Sequence, residues 1–143
     1  MIYFDTSALV KRFVTEVGSD RVERLIAEAA AVATAKIAYP EIYSGLTRKW
    51  REKDLSRSDY ELACRQFEMD WESYVRIDLD DAILQISRDL IRRYPLRGFD
   101  AVHLASAAYL QKALGEPITF VAADKRLLEA AQKESLETVG VVS

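Results

Sequence analysis

Cys64 is the only cysteine among 143 residues. The chain can therefore form no internal disulfide and offers no cysteine-based zinc site. That scarcity suits a reducing compartment, and a cytoplasmic location is expected. His103 is the only histidine, so a Ser/His/Asp triad would have to rest on that one residue as base. No apolar run approaches the roughly 20 residues that cross a bilayer. The first residues read as a strand, not as a basic n-region followed by an apolar stretch, so neither a signal peptide nor a membrane role is expected. Basic residues are not in excess: Lys and Arg number 20 against 23 Asp and Glu, for a formal charge of −3. A polyanionic substrate would need a local basic patch or a bound cation. There is no phosphate-cradling GxxxxGK[ST] loop, internal repeat, low-complexity tract or linker.

What is present is the balance of a folded protein, 50% hydrophobic and 30% charged, with enough chain for one domain over residues 1–143. Ile2-Tyr-Phe4 reads as a buried parallel strand. Asp5-Thr-Ser7 then breaks the pattern, and Ala8-Leu-Val10 opens a helix. A second helix follows Gly18-Ser-Asp20, a short strand is expected at 31–34, and Pro40 suits the first turn of a third helix. Ile42, Leu46 and Trp50 stripe that helix. Tyr60, Cys64, Phe67, Trp71 and Tyr74 stripe the next and read as core. A strand at 74–77 and a helix through Ile83, Ile86, Leu90 and Tyr94 come next. The segment 99–114 is apolar nearly all round, as a helix buried against a sheet should be, and Gly115-Glu-Pro117 stops it. Ile118-Thr-Phe-Val121 is the clearest later strand, a short helix carries Leu127, Leu128 and Ala131, and a last strand is expected over 138–142. The alternation predicts an α/β fold with a mostly parallel central sheet flanked by helices.

Four acids, Asp5, Glu41, Asp100 and Asp124, fall at expected helix starts. Acids belong there as caps and as partners of the helix dipole. Three features point further. Asp5 and Asp124 follow strands, so a parallel sheet would bring them to one edge, where ligands bind. Asp100 opens the most buried helix, where an uncompensated carboxylate is costly. Carboxylates gathered without basic partners raise one another's pKa, and a hard divalent cation such as Mg²⁺ or Mn²⁺ relieves that repulsion. His103 lies one turn beyond Asp100; a lone histidine of this kind reads first as a packing residue and second as part of a site. Thr6 and Ser7 could add a hydroxyl. A phosphoryl-accepting signalling domain and a catalytically silent binding module remain competing readings.

Asp5-Thr-Ser-Ala-Leu-Val10, Tyr39-Pro-Glu41, Arg97-Gly-Phe-Asp100-Ala-Val-His-Leu-Ala-Ser-Ala107 and Val121-Ala-Ala-Asp124-Lys-Arg-Leu127 together resemble a PIN-domain ribonuclease of the VapC toxin type. The resemblance covers essentially the whole chain. It implies a single PIN domain and Mg²⁺- or Mn²⁺-dependent cleavage of RNA. It also implies a homodimer, and inhibition by a small antitoxin protein whose tail fills the active-site groove. Asp5, Glu41, Asp100 and Asp124 match the family's acidic positions, and Thr6 or Ser7 its hydroxyl position. Asp5, Asp100 and Asp124 are then the expected metal ligands, with Glu41 acting through a water or on a second ion. Arg48, Lys49, Arg51 and Lys53, or Arg92, Arg93 and Arg97, could hold the RNA backbone.

Overall fold

β1 (Ile2–Phe4) occupies the middle of a five-stranded parallel sheet ordered β3-β2-β1-β4-β5. The structure is a computed structural model that describes residues 1–141. After β1 the chain forms α1 (Thr6–Leu9), a 3-10 turn (Val10–Arg12), α2 (Ser19–Glu28), β2 (Val32–Ala35), α3 (Ala38–Arg51) and α4 (Arg57–Trp71). β3 (Val75–Ile77), α5 (Asp81–Arg93), α6 (Gly98–Leu114), β4 (Thr119–Ala122), α7 (Lys125–Lys133) and β5 (Glu137–Gly140) complete it. The order reverses at β1, because the chain moves outward through β2 and β3 and then returns to build β4 and β5 on the other side. The crevice between β1 and β4, at their carboxyl ends, is therefore the topological switch point. Register places Phe4 beside Val121 there.

Strand periodicity sorts β1 between two layers. Ile2 and Phe4 face α1 to α4, packing with Leu9, Ile42, Leu46 and Phe67, whereas Tyr3 faces the other side with Leu104, Phe120 and Leu127. Each such large side chain, fully buried, contributes about 1.5–3 kcal/mol of hydrophobic stabilisation. α6 lies close because Ala101, Ala105 and Ala107 are fully buried on it; an added methylene there would overpack the contact at a cost of about 1–3 kcal/mol. Gly115 ends α6 at φ 67°, a left-handed C-terminal conformation that glycine adopts without strain. α3 is held to α4 through Glu68, whose Oε2 accepts the hydroxyls of both Tyr39 and Tyr43.

Several expectations shift in detail. The first helix is a single turn continued as a 3-10 turn, and α4 ends at Trp71, so Tyr74 is core outside that helix. Trp50 is part-exposed and stacks on Tyr60 with ring centroids 4.9 Å apart. The last strand runs Glu137–Gly140, and Val142 lies outside the described residues. Ile42, Leu46 and Phe67 are consumed by the domain's own core.

Candidate active site

Asp5 directly follows β1 and Asp124 lies two residues past the end of β4, the two strands that flank the switch point. Asp5 caps α1, its Oδ1 accepting from the Ala8 amide at 2.9 Å, and Asp124 caps α7 by accepting from the Leu127 amide at 3.0 Å. Capping is thus real for these two. It does not explain Glu41 and Asp100, which sit inside the first turns of α3 and α6, whose N-caps are Ile37 and Arg97. Neither accepts a cap hydrogen bond of its own helix among the described contacts.

An open cleft of about 940 Å³ runs along this edge of the sheet, lined by Asp5, Thr6, Ser7, Glu41, Asp100 and His103. Asp124 lies outside that lining and shares a neighbouring depression with Asp100, Arg97 and Arg126. Asp100 is therefore the carboxylate common to both. Of the residues nominated from sequence, six line one cleft, and Asp124 joins them across Asp100.

Hydrogen bonding divides these groups. Ser7 Oγ donates to Asp5, 2.8 and 2.9 Å from its two oxygens, and accepts from the Ala123 amide at 3.2 Å, tying the loop after β1 to the loop after β4. Thr6 donates to Glu41 Oε1 at 2.6 Å. His103 is buried, with Nδ1 2.8 Å from the Tyr3 hydroxyl and Nε2 2.9 Å from Glu41 Oε1 and 3.0 Å from Thr6 Oγ1. The arrangement that satisfies every group has Tyr3 donating to Nδ1 and the Nε2 proton directed at Glu41. Burial pushes the Tyr3 phenol well above its ordinary pKa, which keeps it a donor. The acids are thus not wholly without basic partners: His103 is both a satisfied packing residue and a neighbour of Glu41.

Electrostatics follow the same division. Burial of Glu41 opposes ionisation, yet the hydrogen bonds from His103 and Thr6 outweigh it and hold the carboxyl below its ordinary range. Burial pushes Asp5 the other way, from 3.8 to about 6, with His103 and the Ala8 amide opposing and Asp100 reinforcing. Asp100 is also raised, first by burial and then by Asp124, with Arg97 and His103 opposing.

These residues fit a hard divalent cation. The donor set is all oxygen, and the raised Asp5 and Asp100 mark negative charge that local partners leave uncompensated. Among the described residues no three Asp, Glu, His or Cys side chains close into a ready-made ligand cage. Mg²⁺ tolerates such openness, because it keeps several waters and uses one or two carboxylates.

Sequence reasoning missed Tyr3, Lys11, Glu16 and Phe99. Tyr3 reads as an ordinary strand residue until the sheet's parity aims it at α6. Lys11 is buried, pairs with Glu16 at 3.3 Å and donates to the Val17 carbonyl at 2.6 Å; Lys49 reaches the same carboxylate at 3.5 Å. Arg48 lines the same cleft, so its wall carries three cations and one carboxylate from this group. Arg97 lines the cleft as well, whereas Arg51, Lys53, Arg92 and Arg93 do not, and Arg93 instead pairs with Glu134 at 3.0 Å.

The sequence pattern of the PIN domain matches residues 2–133. Ribonuclease VapC45 of Mycobacterium tuberculosis is 38% identical over 128 residues, spanning 89% of this chain and 86% of that protein. The crystal structure of FitAcB from Neisseria gonorrhoeae superposes with a TM-score of 0.71 at 16% identity, covering 98% of this chain and 97% of that one. A toxin–antitoxin complex from Klebsiella pneumoniae gives 0.60 at 19% identity, covering 88% and 89%. The all-parallel sheet, the acids at its switch point and the extent of these similarities agree: this chain belongs to the PIN-domain family, among its VapC-type members.

Proposed function

We propose that this chain is a Mg²⁺- or Mn²⁺-dependent endoribonuclease, the toxin of a pair whose other member is a small antitoxin protein. The observation that carries the reading is one cleft whose lining joins acids at the switch point to the basic side chains of Arg48, Lys49 and Arg97. That pairing suits a nucleic-acid backbone whose scissile phosphate lies at the acids while a neighbouring phosphate reaches Arg48 and Lys49. The similarity to a mycobacterial ribonuclease over most of both chains supports the substrate class.

Asp5 and Asp100 would hold the cation, with Asp124 completing the site through Asp100. When bound, the ion supplies positive charge against the scissile phosphate and acidity to the attacking water. Glu41 stays ionised, and its hydrogen bonds from Thr6 and His103 hold it in one orientation for accepting a proton from that water. Ser7 keeps the Asp5 carboxylate oriented and braces the two loops against each other. Arg48 and Lys49 hold substrate by charge, an interaction that salt should weaken. A homodimer and an antitoxin segment entering the groove belong to the same proposal. Leu62 and Met69 on α4, and Leu84 and Ile91 on α5, are among the exposed apolar side chains available for such contacts.

Incubating the purified chain with RNA and Mn²⁺, then sequencing the new ends, tests this reading. Discrete cleavage that disappears in excess chelator and in Asp5→Asn is expected. Undiminished cleavage under chelation, by protein free of contaminating nuclease, would overturn the metal dependence.

A further inference from the structure

Phe99 stands immediately before Asp100 on α6 and is 58% exposed. It packs into neither half of the core among the described residues. Isolated exposed apolar side chains are ordinary on protein surfaces, but the position of this one is not. Among the exposed large hydrophobics of the described residues, Phe99 alone lines the acidic cleft, between Arg97 and Asp100. α6 begins at the carboxyl edge of the sheet, and side chains in a helix lean toward its N-terminus. The ring therefore leans over the mouth of the cleft, beside a cation and one residue from a carboxylate.

We propose that Phe99 is a stacking platform for one nucleobase next to the scissile phosphate. The inference rests on the nuclease reading for its substrate class. A cleft that grips only phosphates would accept paired and unpaired strands alike. An exposed aromatic face adds an interaction that only a splayed-out base can satisfy, since bases inside a helix are already stacked. Arg97, which lines the same cleft, suits the phosphate joined to that nucleotide, and Asp100, next in the chain, belongs to the reacting centre. The chemistry thus favours a base over an apolar protein side chain, which would leave both flanking charges desolvated and unpaired.

The test combines binding and cleavage. Anisotropy with a labelled single-stranded oligoribonucleotide is read in an Asp5→Asn background, with Phe99, Phe99→Ala, Phe99→Leu and Phe99→Trp. Ala and Leu should each weaken binding roughly tenfold, the scale of one base–aromatic contact, while Trp holds it near the parent value. An abasic nucleotide is then walked through the strand. At one position it should weaken the Phe99 protein by a similar factor and leave Phe99→Ala without further loss. Duplex RNA should show no Phe99 dependence. Cleavage by the otherwise wild-type chain is measured in parallel. A Phe99-dependent loss of strand binding in a chain that does not cleave would keep the stacking inference and end the nuclease reading. Cleavage and binding both unmoved by Phe99→Ala would end the stacking inference alone. No strand binding in the Asp5→Asn background would overturn it too. Equal losses at every abasic position, or an effect confined to self-association or to a protein partner, would overturn it in favour of a protein contact.

Discussion

The two sides of the acidic cleft handle negative charge in opposite ways. On the α3 side, Glu41 is built into a chain running from Tyr3 through His103, with Thr6 closing it, and its carboxyl is held below the usual range. On the α6 side, Asp100 is raised by burial and by Asp124, with only the opposing influence of Arg97 and His103. One carboxylate is compensated by hydrogen bonds within the protein; the other is raised chiefly by burial and then by a neighbouring carboxylate. The contrast teaches that a group of acids is not a uniform ligand shell. Under the proposed reading, the hydrogen-bonded Glu41 orients a water, and Asp5 and Asp100, both raised by burial, hold the cation.

The largest test removes charge from the uncompensated side. Asp100→Asn is nearly isosteric, and Asp100 caps nothing that asparagine would lose. Metal-free stability should stay level or rise by about 1 kcal/mol, the scale of one pKa unit. Stabilisation by Mn²⁺ should shrink, and cleavage should fall by roughly 10²–10³-fold or more, as when one preorganised electrostatic group is removed. Melting curves with and without Mn²⁺, beside a cleavage assay, check all three. A mutant retaining the full Mn²⁺ shift would erase the distinction between the two sides.

Next comes pH. The buried Asp5 carboxyl titrates near 6 in the folded chain against 3.8 ordinarily, so the native state holds its proton more tightly than the unfolded state. Its contribution to stability is therefore fullest below pH 3.8 and is lost as pH rises to about 6. The loss across that window is on the order of 3 kcal/mol. Denaturant unfolding in chelator should show this downward component in wild type and not in Asp5→Asn. Identical pH profiles would mean that Asp5 is compensated after all.

The smallest effect belongs to the compensated side. His103→Ala removes the His103 acceptor from the buried Tyr3 hydroxyl and one donor from Glu41, costing about 1–3 kcal/mol of stability. Cleavage should fall less than in Asp100→Asn, because Thr6 still holds Glu41. Further replacing Tyr3 by Phe should recover part of the stability, since a missing hydroxyl needs no partner. No recovery in unfolding measurements on the double mutant would argue against the Tyr3–His103 bond.

The sequence by itself determined the architecture and the identities of the acids. Strand-like runs before Asp5 and Asp124, an all-round apolar α6 and a glycine stop at Gly115 are local signals, read from neighbours in the chain. Burial of α6 and the parallel sheet followed from them. What local signals could not decide was which acids are caps and which are not, because Asp5, Glu41, Asp100 and Asp124 all sit near helix starts and differ only in where their oxygens point. Nor could they reveal that Tyr3, 100 residues from His103, satisfies its ring, or that Lys11 and Lys49 share Glu16. The stripes of Ile42, Leu46 and Phe67 marked buried faces, and the domain's own second layer covers them. Periodicity says that a face is buried; it does not say by what. That choice belongs to the tertiary structure, where pairs far apart in sequence meet and set one another's burial, hydrogen bonds and charge.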